Sequence, residues 1–585
     1  MRYGYDRGGR LSERRSGDTL QAKYHYDPCG RMVLCENPWR RLAWRYDDAG
    51  RVLLEEQDGF QLHYGYNERG LLVSRRSDSG HQVRYAMDEY DRLSQIQLND
   101  DAPIVLGYDE AGRRVSEQLS AEVTRHFTYD RLGQLTSQQV LQNDLPLFAS
   151  GFSWDRLGNL TRRDDSLWGS DRYAYDPVGR LTAHTAPDGT LRQFVQDAAG
   201  SHLQTQTRAV NESAGGWFRE GQQRGVRYVF DRAGELRQRR DVRHNGEKED
   251  FSWDDNRQLV AVRKGERLVR YGYDGLGRRV FKQTAEETRW FYWQGDALAG
   301  ETVTITREPL AAQSIFDTGS RLQRQKAQAA LFGSMREYVY YPGSFQPLAL
   351  LTQEAGRKES WHYHCDPNGA PVRLTSLQGE IVWSEKTGVW GEKGAVYADR
   401  ISNPLRFQGQ YFDAETGLHY NRHRYYDPEI AGFISQDPIG LAGGLNVYQY
   451  APNPLGWVDP WGLTSVDATG YSVYGLFESG AKEPYYVGIT NDMDRRRGEH
   501  LDTERLSPDS RMEPLDRNVT YGQARGYEQY YIEKYKTRTG KIGEAYHQPI
   551  GVISIIHLIM DGKMLVRSHL NMLIIVKRMG GNVDE

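Results

Sequence analysis

Short alternating runs of apolar and polar residues dominate the chain. Tyr24-His25-Tyr26 leads into a polar turn, Arg31-Met32-Val33-Leu34 leads out of it, and the same alternation recurs down the sequence. Period-two alternation bounded by turn residues predicts β-strands. An aromatic-Asp-x-x-Gly unit, with some substitutions, marks each recurrence: Tyr5-Asp6, Tyr26-Asp27, Tyr46-Asp47, Tyr66-Asn67, Met87-Asp88, Tyr108-Asp109 and Tyr129-Asp130. It continues through Trp154-Asp155, Tyr175-Asp176, Gln196-Asp197, Phe230-Asp231, Trp253-Asp254 and Tyr273-Asp274. Most steps are 20 or 21 residues, and steps of 25 and 34 mark inserted loops. Asp at the first position and Gly at the fourth suit a type I turn, so each repeat predicts one hairpin. A lone hairpin is marginal in water, so neighbours must stack into a continuous sheet. The aromatics are expected to form a packing ladder on one face.

From residue 340 the period fades and denser motifs follow. They include Tyr363-His364-Cys365-Asp366-Pro367-Asn368-Gly369, Leu405-Arg406-Phe407-Gln408-Gly409-Gln410-Tyr411-Phe412-Asp413 and Gly417-Leu418-His419-Tyr420-Asn421-Arg422-His423-Arg424-Tyr425-Tyr426-Asp427-Pro428. Two Asp-Pro-x-Gly turns close the block with eighteen residues between them, Asp437-Pro438-Ile439-Gly440 and Asp459-Pro460-Trp461-Gly462, the second followed by Leu463. Beyond them the pattern changes in kind. Tyr471 to Phe477 alternates like a strand, a polar turn follows, and Tyr485 to Ile489 returns as its partner. Asn491 suits the N-cap of a short helix bearing Arg495, Arg496, Arg497 and His500, with Arg496 and His500 on one face. A second helix is predicted near residues 523–533.

Composition adds limits. Formal net charge is −4 over 585 residues, and residues 464–585 hold sixteen Lys and Arg against seventeen Asp and Glu. Affinity for nucleic acid would therefore come from a local patch such as Arg495-Arg496-Arg497. Cys29, Cys35 and Cys365 make neither a disulfide framework nor zinc spacing, and are read as unpaired thiols. The N-terminus already lies inside a repeat, so no leader is read there. The longest apolar run, Ile550 to Met560, is too short to cross a bilayer.

On the repeats and the dense block, residues 1–463 closely resemble the Rhs/YD-repeat family of polymorphic toxins. The resemblance implies a mostly β fold: a YD-repeat array over 1–340, read as N-terminally truncated, and a repeat-associated core over 341–463. Together they form a hairpin spiral that encloses a C-terminal toxin. It also implies synthesis in the bacterial cytoplasm, export by secretion-spike machinery of the type VI kind, action in the cytoplasm of a competing cell, and a cognate immunity protein. In that family the paired turns are similar to an aspartyl-type self-cleavage site. Carried over, Asp437 and Asp459 are the dyad and the cut follows Leu463. By residues alone both are good turn aspartates. Two carboxylates held close also share a proton readily, which leaves one as acid and the other as base.

Residues 464–585 resemble the GIY-YIG nucleases, giving a small α/β domain. Ser472-Val473-Tyr474 stands at the first motif with Ser for Gly, and Tyr486-Val487-Gly488 at the second with Val for Ile. Arg496, His500 and Glu528 fall at the family's helix positions. The resemblance implies one-metal hydrolysis of a DNA phosphodiester. Glu528 would hold Mg²⁺, Arg496 would stabilise charge on the phosphate, Tyr474 would take a proton from water with Tyr486 orienting it, and His500 would be a proton partner. The tail from about residue 548 is apolar without periodicity. It is read as out of frame, because back-translated codons from Gln548 onward, read from their third base, can yield a polar, Asn-rich stretch. A non-catalytic YD-repeat surface or carbohydrate-binding protein and an inactive displaced cassette are the alternative readings.

Overall fold

The computed structural model describes residues 1–177, 179–209, 217–243, 246–310, 331–354, 356–443, 446–463, 471–490, 493, 497, 506–507 and 510–519. The chain divides into two compact units, Met1–Thr464 and Ser465–Glu585.

The first unit is built almost wholly from antiparallel hairpins. Among the described residues, nineteen strands, from Arg2–Tyr5 to Leu191–Gln193, make one sheet, and sixteen, from Thr205–Ala209 to Ala395–Asp399, make a second. Within each sheet every strand pairs with the next in sequence, as Thr19–Tyr26 does with Met32–Glu36 and that strand with Arg41–Tyr46. The second sheet runs without a break through residue 340, where Arg336–Tyr340 pairs with Pro347–Glu354. A small sheet of Tyr411–Asp413, Leu418–Asn421, Arg424–Asp427 and Gly432–Phe433 follows, and its Leu418, Tyr420 and Tyr425 share a core with Tyr273, Phe291 and Tyr363 of the second sheet.

The Asp-x-x-Gly turns form as their residues require. The Gly30 amide donates to the Asp27 carbonyl at 2.9 Å, and Gly30 takes φ 86, a left-handed conformation that glycine adopts without strain. Asp27 then accepts the Arg31 amide at 2.9 Å and the Arg31 Nε at 2.6 Å. Arg31 reaches onward: its NH1 donates to the carbonyl of Asp47 in the next repeat at 2.9 Å, and its guanidinium lies 5.0 Å over the Tyr46 ring. Tyr46 closes the tile by donating its hydroxyl to the Met32 carbonyl at 2.7 Å. The same stacking joins Arg10 to Tyr26, Arg51 to Tyr66, Arg92 to Tyr108 and Arg113 to Tyr129. The expected aromatic ladder is thus an alternating arginine–tyrosine ladder. Its ring faces lie under guanidiniums and its hydroxyls on backbone carbonyls, which is a structural use of the aromatics.

The far ends of the hairpins lock the first sheet to the second. Asn37 Nδ2 donates to the Tyr273 carbonyl at 2.6 Å, and twenty residues later Gln57 Oε1 accepts the Trp293 amide at 2.9 Å, the same 236-residue offset. Further along, Arg75 pairs with Glu337 at 2.8 Å, both buried, and Arg125 donates to the Tyr363 carbonyl at 2.8 Å. Val83, Ile96 and Val140 of the first sheet share a core with Val339, Leu348 and Leu351 of the second.

Among the described residues of the second unit Tyr471–Phe477 is the middle strand of three. It pairs antiparallel with Tyr486–Thr490 on one side, as the sequence predicts, and with Arg511–Val519 on the other. The third strand is not legible by alternation, because Pro514 and four charged residues interrupt it. Met493 and Arg497 are helical, where the short helix is expected. The second helix and the tail read as out of frame lie outside the described residues.

Candidate functional site

The two Asp-Pro-x-Gly turns meet at one buried arginine. Arg424 lies on the small sheet, fully buried, and its NH2 stands 3.1 Å from Asp437 Oδ2 and 3.4 Å from Asp459 Oδ2. Both aspartates are buried as well, at 3% and 2% exposure, so this shared guanidinium is their main compensating charge. Arg424 also donates to backbone: Nε to the Gly462 carbonyl, and NH1 to the Val447 carbonyl at 3.1 Å. The Phe433 ring packs 3.6 Å from the guanidinium carbon.

Each aspartate also acts as the turn residue its sequence announces. Asp437 Oδ1 accepts the Ile439 amide at 3.0 Å, and its carbonyl accepts the Gly440 amide at 2.9 Å. Asp459 Oδ1 accepts the amide of Leu463 at 3.0 Å. One carboxylate therefore touches the residue expected to carry the cut bond. Burial pushes Asp459 up to about 6. Arg424 and the Leu463 amide pull it down, and Asp437 adds to the rise. The turn and acid readings of these residues are compatible: the turn brings each carboxylate inward, and burial favours the protonated form of Asp459.

Of the residues expected in the second unit, the structure describes two. Tyr474 pairs with Gly488 across the central hairpin, which puts Tyr474 and Tyr486 on one face of the sheet with ring centroids 6.2 Å apart and planes tilted by 36°. Tyr474 is buried with Leu476 and Leu506, and Tyr486 and Met493 pack against that cluster. Arg496, His500 and Glu528 lie outside the described residues. Among the described residues no group of three or more His, Cys, Asp or Glu side chains gathers to hold a metal ion, and no helix is long and apolar enough to cross a membrane. The three cysteines are unpaired, Cys35 and Cys365 buried and Cys29 exposed.

Sequence reasoning passed over Arg424 and Asn421, although both stand in the motif it singled out. It also passed over the arginine that follows the turn glycine in Arg10, Arg31, Arg51, Arg113, Arg180 and Arg278. Its recurrence at the fifth position was the available signal.

Residues 26–117 and 113–297 match the Teneurin YD-shell family model, and residues 361–395 match the RHS protein model. The double-stranded DNA deaminase toxin A of Burkholderia cenocepacia (strain H111) is 34% identical over 478 residues, 72% of this chain and 31% of that protein. The "Probable deoxyribonuclease RhsA" of Dickeya dadantii (strain 3937) is 31% identical over 405 residues, 66% of this chain and 26% of that protein. The chain thus spans less than a third of the length of these curated relatives. The Tc holotoxin pore of Photorhabdus luminescens superposes with a TM-score of 0.56 at 16% identity, over 78% of this chain and 25% of that one, a likeness of fold. Sheets and turns together define a YD-shell protein. Within that class the chain carries an Rhs-type core.

Proposed function

We propose that this chain is the shell-and-cargo part of an Rhs-type polymorphic toxin. It cuts itself between Leu463 and Thr464 and frees residues 464–585 as a metal-dependent DNA endonuclease used against competing bacteria. The observation that carries the reading is the buried cluster in which Asp437 and Asp459 share Arg424 while Asp459 holds the Leu463 amide. In the cut, Asp437 takes a proton from a water molecule, whose oxygen adds to the Leu463 carbonyl carbon. Asp459 gives its proton to the departing Thr464 nitrogen. One water is consumed, and a Leu463 carboxylate and a Thr464 amine are formed.

The relatives' names speak of DNA, yet of two chemistries, deamination and strand cleavage. The choice of cargo chemistry therefore rests on residues 464–585. The paired tyrosines on one sheet face support a GIY-YIG-like nuclease. Glu528 is the residue to hold Mg²⁺, a hard cation suited to a carboxylate, which when bound supplies positive charge at the scissile phosphate. Arg496 would bind a phosphate oxygen through its planar guanidinium, and Tyr474 would accept the proton of the attacking water with Tyr486 orienting it. A free tyrosine titrates near ~10, so the Arg496 charge would also help Tyr474 take up that role. His500 completes the proton path. Export through secretion-spike machinery and a cognate immunity protein belong to the same reading.

Intact-mass measurement of the purified full chain tests the cut: a fragment of residues 464–585 is expected, and a chain that stays whole overturns it. Nicking of plasmid DNA by that fragment with Mg²⁺, lost in Arg496→Ala and Glu528→Ala, tests the cargo. Undamaged plasmid would refute it.

A further inference from the structure

The hairpin Leu418–Asn421 and Arg424–Asp427 does more than carry Arg424 to the two carboxylates. Its turn grips the segment that leads to Leu463 at three carbonyls. Asn421 Nδ2 donates to the Asp459 carbonyl at 2.8 Å, the His423 amide to the Trp461 carbonyl at 3.0 Å, and Arg424 Nε to the Gly462 carbonyl. The grip is itself anchored. Arg422 sits in the left-handed region at φ 54, and its guanidinium donates to Asp296 Oδ1 at 2.7 Å and to the Leu276 carbonyl at 3.0 Å. Gly462 takes φ 65, and a Cβ there would stand 2.3 Å from the Asn421 carbonyl oxygen. Nothing larger than glycine allows so close an approach.

Among these contacts Asn421 is singular. It is a fully buried, uncharged side chain that touches the backbone of Asp459, and its Oδ1 has no hydrogen-bond partner. An amide donor fixed on the Asp459 carbonyl turns that peptide one way. The Asp459 side chain then faces Arg424 and the Leu463 amide. A single hydrogen bond to a turn carbonyl thereby sets where the carboxyl group stands relative to the bond to be cut, and small errors of placement are costly in such reactions.

We infer that Asn421 is a positioning residue for self-cleavage, holding the Asp459–Leu463 turn in the geometry the cut requires. The inference rests on the reading of Asp437 and Asp459 as the cleaving pair. The charged groups facing Asp459 are Arg424 and Asp437, and the Tyr450 hydroxyl accepts its amide at 3.4 Å.

The test is the fraction of full chain cleaved over time after cell-free synthesis, read by intact mass across a pH series, with the melting temperature of the shell beside it. Asn421→Asp is expected to slow cleavage about tenfold or more. It should also move the alkaline limb of the profile upward, because a new carboxylate beside Asp459 favours its protonated form. Shell melting should stay within a few degrees of the parent, and Asn421→Gln, which keeps the amide donor, should recover part of the rate. A merely structural role would lower the melting temperature and leave the pH limb in place, which overturns the inference, as does Asn421→Asp cleaving at the parent rate. If Asn421→Asp fails to fold, Asn421→Ala removes the same donor to the Asp459 carbonyl without adding a charge. Slow cleavage in a shell that still melts cooperatively supports the inference, and the parent rate overturns it. A parent chain that never cleaves removes the dyad reading and this inference together. A parent that cleaves beside an equally fast Asn421→Asp removes this inference alone.

Discussion

Asp91 and Arg257 stand where the other Asp-x-x-Gly turns carry glycine, and both adopt left-handed backbone, φ 60 and φ 63. A residue with a side chain is strained there by roughly 1 kcal/mol. Arg257 gains a compensating bond from its Nε to Glu235 Oε1 at 3.0 Å, whereas Asp91 has an exposed pair with Arg69. Asp91→Gly is therefore expected to raise shell stability by about 0.5–1 kcal/mol in denaturant unfolding, and Arg257→Gly to give less. At the seam, Asp459 holds its proton up to about pH 6. As pH rises through that value the acid is lost, so self-cleavage should fall about tenfold per unit above it, and Asp459→Asn should abolish cleavage at every pH while the shell stays folded. The aspartates of the paired turns and the tyrosines of the hairpin could be singled out from sequence, because each stands in a short motif. Arg424 and Asn421 could not, because their roles arise only when folding brings partners 35 and 38 residues away against them.

At the scale of elements, the hairpins were readable because alternation and turn chemistry repeat in step, each local signal confirming the next. The third strand of the C-terminal sheet was not. Among the described residues Arg511–Val519 lies at the sheet's edge, where Pro514 is tolerated, and it pairs with Tyr471–Phe477 through two register shifts that erase any period. The repeat tile gives two expectations of its own. Arg31→Ala removes one rung between successive hairpins, and unfolding midpoints should report a loss of about 1 kcal/mol, less than a core truncation would cause. In the turns at Asp6, Asp47 and Asp109, the amide of the arginine four residues on, against partial burial, and then its guanidinium hold the carboxyl below the usual range. A folded value below the unfolded one means stabilisation that is present above the usual carboxylate range and lost on acidification. The melting temperature of the shell should therefore hold from pH 7 to about 5 and drop below about 4, as calorimetry across that range would show.

For the molecule as a whole, the locking of one sheet to the other lay beyond sequence reasoning. Its contacts join residues more than two hundred positions apart, and no local pattern encodes such pairs. Their weight is concentrated in buried charges. Glu337 is fully buried, pairs with Arg75, and also accepts the hydroxyls of Ser77 and Ser79. Glu337→Ala strands a buried guanidinium and is expected to cost roughly 3–5 kcal/mol, read as a fall in the denaturant midpoint with an unchanged slope. The 236-residue offset shared by Asn37 with Tyr273 and Gln57 with Trp293 carries a genetic consequence. Unequal exchange between repeats that share one turn motif could add or delete a single hairpin, yet every such event between those points would slide buried charges and carbonyls past their mates like a mis-threaded screw. Viable length changes are then confined to loops that can lengthen without moving a strand, and the count of hairpins per winding should drift far more slowly than the residues that compose them.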